Sequence, residues 1–550
     1  MGYVFAQPLA VGNLQNITHC STNPCNLVFV VDEIDMLWAF DAASPSSSPV
    51  WSKDLAGAVG GTYVTCTLAP ADFPPCSTGV FGPTVGVTGT PVIDPSASPK
   101  LYVAAAVAFS IADTVQFYLF AIDITTGNVL GHVPIVGQVN GQPPSTSCTS
   151  DYPGQQGSTV SFDYRHIQRS ALLLLNSIVY VAFAPGDGNA KPNGWLFGYS
   201  FNSAFTQAGI FNSTPYGTGG GIWQSGAGPA SDGTYIYAAT GNGTLFDPVA
   251  QVYDFGDSLV QLDPTNIVNN ILPVRDYYAP IDGGATRCSN DLDFGSGGVL
   301  VVPPAYTYTC TGSCTQCISP TACNVVVNAD KESKLYVANR GSLGHYNPSG
   351  GNNVETVLTP CLGPNCSHPS DQGYWSSPAY WYDGTYYWLY YSPTVDTMDT
   401  AAAPYSIYAY QLATSGSSGP ISQTATAKSA YPDLFCPYAH TPSVSSNPNS
   451  PATTGIVWTI EHQNSRNNGT TNDCGGNDNG QYHHAALHAL NAESLATLYD
   501  SAKGSANQDI SQTTTFSTPT VFNGQVYMGT QQEVDVFGLC HNGVGGNCKQ

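Results

Sequence analysis

Gly89-Thr-Pro-Val-Ile-Asp94, Leu101-Tyr-Val-Ala104 and Tyr118-Leu-Phe-Ala-Ile-Asp-Ile-Thr-Thr-Gly-Asn-Val-Leu130 are three pieces of one phrase, and its recurrence decides the fold. Each piece is a short run of β-branched and aromatic residues bounded by Pro, Asp or Thr-Gly, as expected of a strand between turns. The Asp-x-x-Thr-Gly step from Asp123 to Gly127 predicts a tight turn. Gly127 supplies there the positive φ that other residues resist.

Variants of the phrase recur along the chain. The first joins Gln7-Pro-Leu-Ala-Val11, Val28-Phe-Val-Val31 and Leu37-Trp-Ala-Phe-Asp41, and closes on Val50-Trp51. Eight such units are read, near residues 3–55, 86–135, 168–212, 221–272, 296–358, 374–425, 438–500 and 516–539. A lone four-stranded meander cannot bury both faces, so units of this kind stack radially into a ring. Residues 1–550 are therefore expected to form a single all-β propeller domain of four-stranded blades. Eight phrases predict eight blades; seven is the alternative if the terminal phrases share one. Residues 487–499 carry the nearest thing to a helical pattern, but their repeat context makes them strand and turn. Between phrases, residues 56–85, 136–167, 303–323 and 462–484 read as loop-like, disulfide-stapled insertions, where a propeller carries function.

Composition narrows the partners. Hydrophobic residues make up 42% and charged residues only 9%, so a large core is available and the surface is mainly uncharged polar. The balance is acidic, 14 Lys+Arg against 37 Asp+Glu, a formal charge of −23. Without a basic stripe nothing displaces counterions from a polyanion, which excludes nucleic acid. Anionic membrane surfaces are disfavoured for the same reason, and no apolar run is long enough to span a bilayer. Cations, extracellular glycans or further copies of the chain (a homo-assembly) remain.

Sixteen cysteines point to an oxidising compartment. Cys20/Cys25, Cys66/Cys76, Cys361/Cys366 and Cys540/Cys548 are spaced for short-loop disulfides, each worth about 2–4 kcal/mol when unstrained. Cys310, Cys314, Cys317 and Cys323 include a zinc-like step, but their Thr/Ser/Pro-rich context favours disulfides. Sequons at Asn16, Asn212, Asn242, Asn365 and Asn468 predict N-glycans if the source glycosylates secreted proteins. Met1-Gly2-Tyr3-Val4-Phe5 has neither a basic nor an apolar leader region. We expect a secreted or cell-surface protein, extracellular or periplasmic, whose signal peptide has been removed.

The phrase as a whole, best seen from Thr90 to Leu130 and from Leu37 to Trp51, resembles the pyrroloquinoline-quinone (PQQ) type of propeller repeat. Gly220-Gly-Ile-Trp-Gln-Ser-Gly-Ala-Gly-Pro-Ala230, Ala239-Thr-Gly-Asn-Gly243 and Asp291-Leu-Asp-Phe-Gly-Ser-Gly-Gly298 are similar to segments of large secreted bacterial PQQ-like proteins. The resemblance implies a propeller but no particular activity. Such propellers include quinoprotein alcohol dehydrogenases and also scaffolding lipoproteins without a cofactor.

In the dehydrogenases a Trp floors the quinone, an Asn from a Gly-rich turn holds calcium, and a downstream Asp is the base. Trp223, Asn242 and Asp291 or Asp293 resemble these positions. Oxygen ligands suit calcium, and an indole face suits a planar quinone. Three departures weigh against PQQ: there is no adjacent Cys-Cys pair, no Glu within residues 136–222, and no C-x-x-C-H for a haem. The competing reading makes Trp223 blade packing, Asn242 a turn residue and the two Asp turn carboxylates.

His483, His484 and His488 lie close enough for a transition-metal site, since His484 and His488 share a strand face. Exposed or hydrogen-bonded histidines are the simpler expectation. Tyr380-Trp-Tyr382 and Tyr386-Tyr-Trp388 could stack sugars, though packing between blades accounts for them as well. Hydrolase and phosphate-loop signatures are missing. The reading is a non-catalytic propeller acting as an extracellular binding, scaffold or self-assembling surface protein. A PQQ/calcium-dependent alcohol or sugar oxidoreductase is the first alternative, and a glycan-binding or glycan-cleaving propeller the second.

Overall fold

The fold was obtained as a computed structural model. It describes residues 1–44, 48–70, 73, 82–109, 114–141, 159–185, 193–246, 253–311, 323–331, 334–347, 354–358, 372–373, 376–391, 394–395, 407–417, 419–422, 424–429, 440–463, 484–501, 510–512 and 514–538. The chain forms an eight-bladed, all-β propeller of four-stranded blades, so the seven-blade alternative falls away.

Blade 1 shows the plan: Leu9–Leu14, Cys25–Val31, Met36–Asp41 and Trp51–Asp54 pair in sequence order, each antiparallel to the next. Blade 2 repeats it with Val92–Asp94, Lys100–Phe109, Thr114–Asp123 and Val129–Pro134. Blades 3 to 7 occupy residues 173–212, 230–279, 300–358, 379–428 and 443–500. Blade 8 has Thr520–Phe522, Gln525–Gly529 and Val534–Gly538 among the described residues.

Burial explains why the inner strand Lys100–Phe109 does not alternate. Residues 101–108 of blade 2 are buried on both faces, because a blade is sandwiched between two neighbours. The outer strand Val129–Pro134 alternates half-buried and exposed. Each seam between adjacent blades holds its own apolar cluster. Phe29 and Phe120 share one cluster across blades 1 and 2, and Tyr527, Val28 and Val30 share another across blades 8 and 1, so the ring closes. Blade 1 also reaches its neighbour through Trp51, whose Nε1 donates to Ile124 O at 3.1 Å while its ring lies against Gly127. Gly127 has φ 73°, as its turn requires.

Two insertions contain more strand than their composition suggested. Within residues 56–85, Thr62–Thr65 joins the edge of blade 2 through Thr62↔Ala108 and Tyr63↔Val107. Within 136–167, Gln138–Asn140 pairs with Thr159–Ser161, and His166–Ile167 pairs with blade 3. These pieces are two to four residues long, too short for periodicity to announce.

Cys20 and Cys25 form the disulfide expected of them. Cys66, Cys288, Cys310 and Cys323 are also disulfide-bonded, so a zinc site using Cys310 and Cys323 is ruled out. Cys76, Cys314, Cys317, Cys361, Cys366, Cys540 and Cys548 lie outside the described residues. Among the sequons, Asn16 is exposed, whereas Asn212 is buried at 7% exposure, and an N-glycan there is incompatible with the folded chain. Asn365 and Asn468 lie outside the described residues. Among the described residues, no helix is long and apolar enough to cross a membrane.

Residues 222–227, leading into blade 4, touch the lead-in segments of five other blades, which only an axial position allows. Ser170 Oγ donates to Ile222 O at 2.7 Å, and Ala171 N to Ala227 O at 2.8 Å. Ser225 Oγ donates to Ser296 O. Ser377 Oγ donates to Gln224 O at 3.2 Å, and Thr441 Oγ1 to Ser225 O at 3.3 Å. Gln224, Ser225 and Gly226 all have positive φ, at 54°, 39° and 82°. A Cβ on Gly226 would collide with the carbonyl oxygen of Phe516 in the lead-in to blade 8. Gly226→Ala is expected to destabilise the propeller by about 2 kcal/mol or more, read as a lower midpoint in chemical denaturation.

Candidate functional site

The lead-in to blade 4 begins with three glycines. Gly219 and Gly220 have φ 79° and 68°, which lets the chain lie flush on the turn that follows the strand Ile236–Ala239. Gly220 N donates to Asn242 O at 2.7 Å, and Gly241 N donates to Gly221 O at 2.8 Å. Trp223 and Asn242 are brought side by side in this way. A Cβ on Gly241 would strike both Asp293 Oδ1 and the Trp223 ring, so only glycine lets all three approach.

Asp293 Oδ1 accepts from Asn242 N at 2.8 Å, and Asp291 Oδ1 accepts from Asn242 Nδ2 at 3.0 Å. The fold thus gathers Trp223, Asn242, Asp291 and Asp293, all four of the residues picked out by the PQQ-type resemblance. It adds one that the sequence reading missed. Lys331 Nζ lies 2.9 Å from Asp291 Oδ2 and 2.6 Å from Asp293 Oδ2. Burial works against the charge on Lys331, but Asp293 and Asp291 outweigh it and raise its pKa above the ordinary lysine value. Lys331 and Asp293 are 10% and 11% exposed, whereas Asp291 is 78% exposed, so the cluster opens to solvent on one side.

A second layer holds these groups. In the short helix Ala285–Ser289, Arg287 is fully buried and saturated. Its Nε donates to Asp282 Oδ1, and its Nη1 to Leu292 O and Asp330 Oδ2, each at 3.0 Å. Tyr336 OH donates to Asp330 Oδ2 at 2.8 Å. The loop carrying Asp291 and Asp293 is thereby tied to the residue next to Lys331. Beneath them, buried Asp257 accepts from Gly284 N at 3.1 Å and Phe294 N at 3.4 Å. Burial pushes its pKa up to about 7, against the pull of Arg287 and with a push from Asp293.

Trp223 is not a bare platform. The Arg169 guanidinium lies over its ring, 5.0 Å from the centroid, and over Phe516 at 4.2 Å. Trp223 also packs against Phe5 and Ile167.

The histidines fare differently. His483 lies outside the described residues, His484 contributes backbone to the strand His484–Asn491, and His488 is buried opposite Thr459. Among the described residues, the ligand atoms of three His, Cys, Asp or Glu converge at Cys20, Cys25 and Asp41 alone, and those cysteines are bonded to each other. Of the aromatic segment, Trp381 and Trp388 are buried in the seam between blades 6 and 7, while Tyr382 and Tyr386 are exposed.

No family model matches this sequence, and no curated protein does. Among solved structures the chain is similar to a quinohemoprotein alcohol dehydrogenase from Pseudomonas putida. The TM-score is 0.50 at 12% identity, covering 96% of this chain and 70% of that one. A quinohemoprotein alcohol dehydrogenase from Comamonas testosteroni gives a TM-score of 0.48 at 13% identity, over 96% and 70% of the two chains. The likeness is one of fold.

Arg287→Met would leave Asp330 buried without its cation. We expect a loss of about 3–5 kcal/mol, measured as a drop in unfolding free energy.

Proposed function

We propose that this chain is an extracellular, non-catalytic binding propeller whose recognition site is the Asn242, Asp291, Asp293 and Lys331 cluster. The observation that carries this reading is Lys331, whose ammonium is already shared between two carboxylates beside an amide, with one side open to solvent. Such a cluster offers donors and acceptors within one small area. A hydroxyl both donates and accepts, so a neutral, hydroxyl-rich ligand such as a sugar unit is the best chemical match. An extracellular setting suits the sixteen cysteines and the weakly charged, Ser/Thr/Asn-rich surface.

The quinone-and-calcium arrangement fits these residues poorly. Arg169 covers a face of Trp223, where a planar ring would need to stack. The two carboxylates that would hold a divalent cation already hold an ammonium. One observation favours the oxidoreductase reading instead: Asn242 Oδ1 is buried without a partner, as an oxygen awaiting a cation would be.

One titration series separates the two. Binding of mono- and oligosaccharides, followed by calorimetry, is expected to weaken roughly tenfold or more in Lys331→Met and Asp293→Asn. Addition of PQQ and Ca²⁺ is expected to give no dye reduction with alcohols or sugars. Dye reduction that Asp293→Asn abolishes would overturn the non-catalytic reading.

A further inference from the structure

The turn between the second and third strands of blade 1, Asp32-Glu-Ile-Asp35, faces the lead-in to blade 2. Asp32, Glu33 and Asp35 are all 0% exposed. Asp32 is fully engaged. Its Oδ1 accepts from Ile34 N and Met36 N, each at 3.1 Å, and its Oδ2 from Gly2 N at 2.9 Å and Trp38 Nε1 at 3.1 Å. The other two are not. Glu33 Oε2 accepts from Gly86 N at 2.5 Å, but Oε1 has no partner. Asp35 has no partner on either oxygen.

The charges acting on Asp35 are Glu33, Asp32 and, from the fourth strand, Asp54, all of them acidic. From the lead-in to blade 2, Thr88 and Gly86 offer Glu33 only neutral hydrogen bonds. Lys53 lies next to Asp54, but successive strand side chains point to opposite faces. An ionised carboxylate buried without a protein donor or a cation is costly, and a proton or a metal ion would relieve it. Among the described residues the ligand atoms of three His, Cys, Asp or Glu side chains do not converge here, which favours the proton.

We propose that this seam is a proton-loaded clasp: Glu33 and Asp35 carry protons in the folded protein, and the propeller is built to hold together best in mildly acidic surroundings. Loss of those protons places two like charges at the point where the N-terminal segment, blade 1 and blade 2 are stitched. The stitches are Glu33 N to Tyr3 O at 2.9 Å and Val87 N to Asp32 O at 3.3 Å.

Burial raises Glu33 from 4.5 to about 8, with Asp32 adding to the shift, and drives Asp35 upward in the same sense. The folded state therefore binds more protons than the unfolded chain between those values. The stabilisation is complete below the unfolded value and is lost as the pH rises through the folded one. Asp254, which accepts only neutral hydrogen bonds from Tyr216 N and Thr244 Oγ1, is likewise raised by burial to about 7. With Asp257, which faces Arg287 and Asp293, it adds to the same trend.

The test is thermal unfolding of the full chain across this window, for the natural sequence and for Asp35→Asn. Asp35 has φ 56°, a conformation Asn adopts readily, so the variant keeps the turn. The natural protein is expected to lose several degrees more than Asp35→Asn as the pH rises from about 5 to about 8. Asp35→Asn should be the more stable of the two at the alkaline end. Glu33→Gln should flatten the profile likewise, which keeps the test valid if one variant folds poorly. Parallel profiles would overturn the proposal. So would Ca²⁺ restoring the alkaline midpoint of the natural protein but not of Asp35→Asn, since a cation would then be the neutralising partner.

Discussion

The propeller depends on the axial segment 222–227. Eight wedge-shaped sheets around one axis leave a channel whose walls expose backbone amides and carbonyls. Those groups must find partners. Here one stretch of chain meets several of them: Ala227 O accepts from Ala171 N, Gln224 N donates to Gly295 O and Ser225 Oγ to Ser296 O, while the Ser377 and Thr441 hydroxyls donate to its own carbonyls. Three consecutive residues in the left-handed region are the cost of that crossing, about 1–2 kcal/mol for each non-glycine. Hydrogen bonds to blades on opposite sides of the ring offset it. Trp223 belongs to the same segment, so the element that fills the axis also positions the site.

The seams do the remaining work. Because a blade is covered on both faces, an inner strand can be apolar throughout, as in Leu101 to Ala108. The outer strand Val129–Pro134 alternates. This division of labour made the fold readable from sequence. Variants of one strand phrase, short apolar runs set between turn residues, repeat eight times, and a repeat of sheets that cannot stand alone implies a ring. Short strands within the insertions were not readable, because two to four residues among Gly and Pro carry no period.

The candidate site was legible only through resemblance. Asn242 and Asp291 are 49 residues apart, and Asp291 and Lys331 are 40 apart. Spacing in the chain says nothing of their meeting in space. Lys331 left one faint signal: in a chain with only 14 Lys+Arg, a lysine just after an apolar strand and beside Asp330 suggests a fixed partner. Arg169 over Trp223 left none, since it comes from the preceding blade. Nothing in the sequence singles out Glu33 and Asp35; only the fold shows that Glu33 Oε1 and both Asp35 oxygens are buried without a partner.

A high-resolution crystal structure of the protein grown with PQQ, Ca²⁺ and a saccharide bears most directly on the site. Our account predicts that Lys331 Nζ stays between Asp291 and Asp293, that Arg169 stays over Trp223, and that hydroxyl oxygens lie against the Asn242 side of the cluster. A divalent ion bound between Asn242 Oδ1 and Asp293, with Lys331 displaced and a quinone stacked on Trp223, would contradict it.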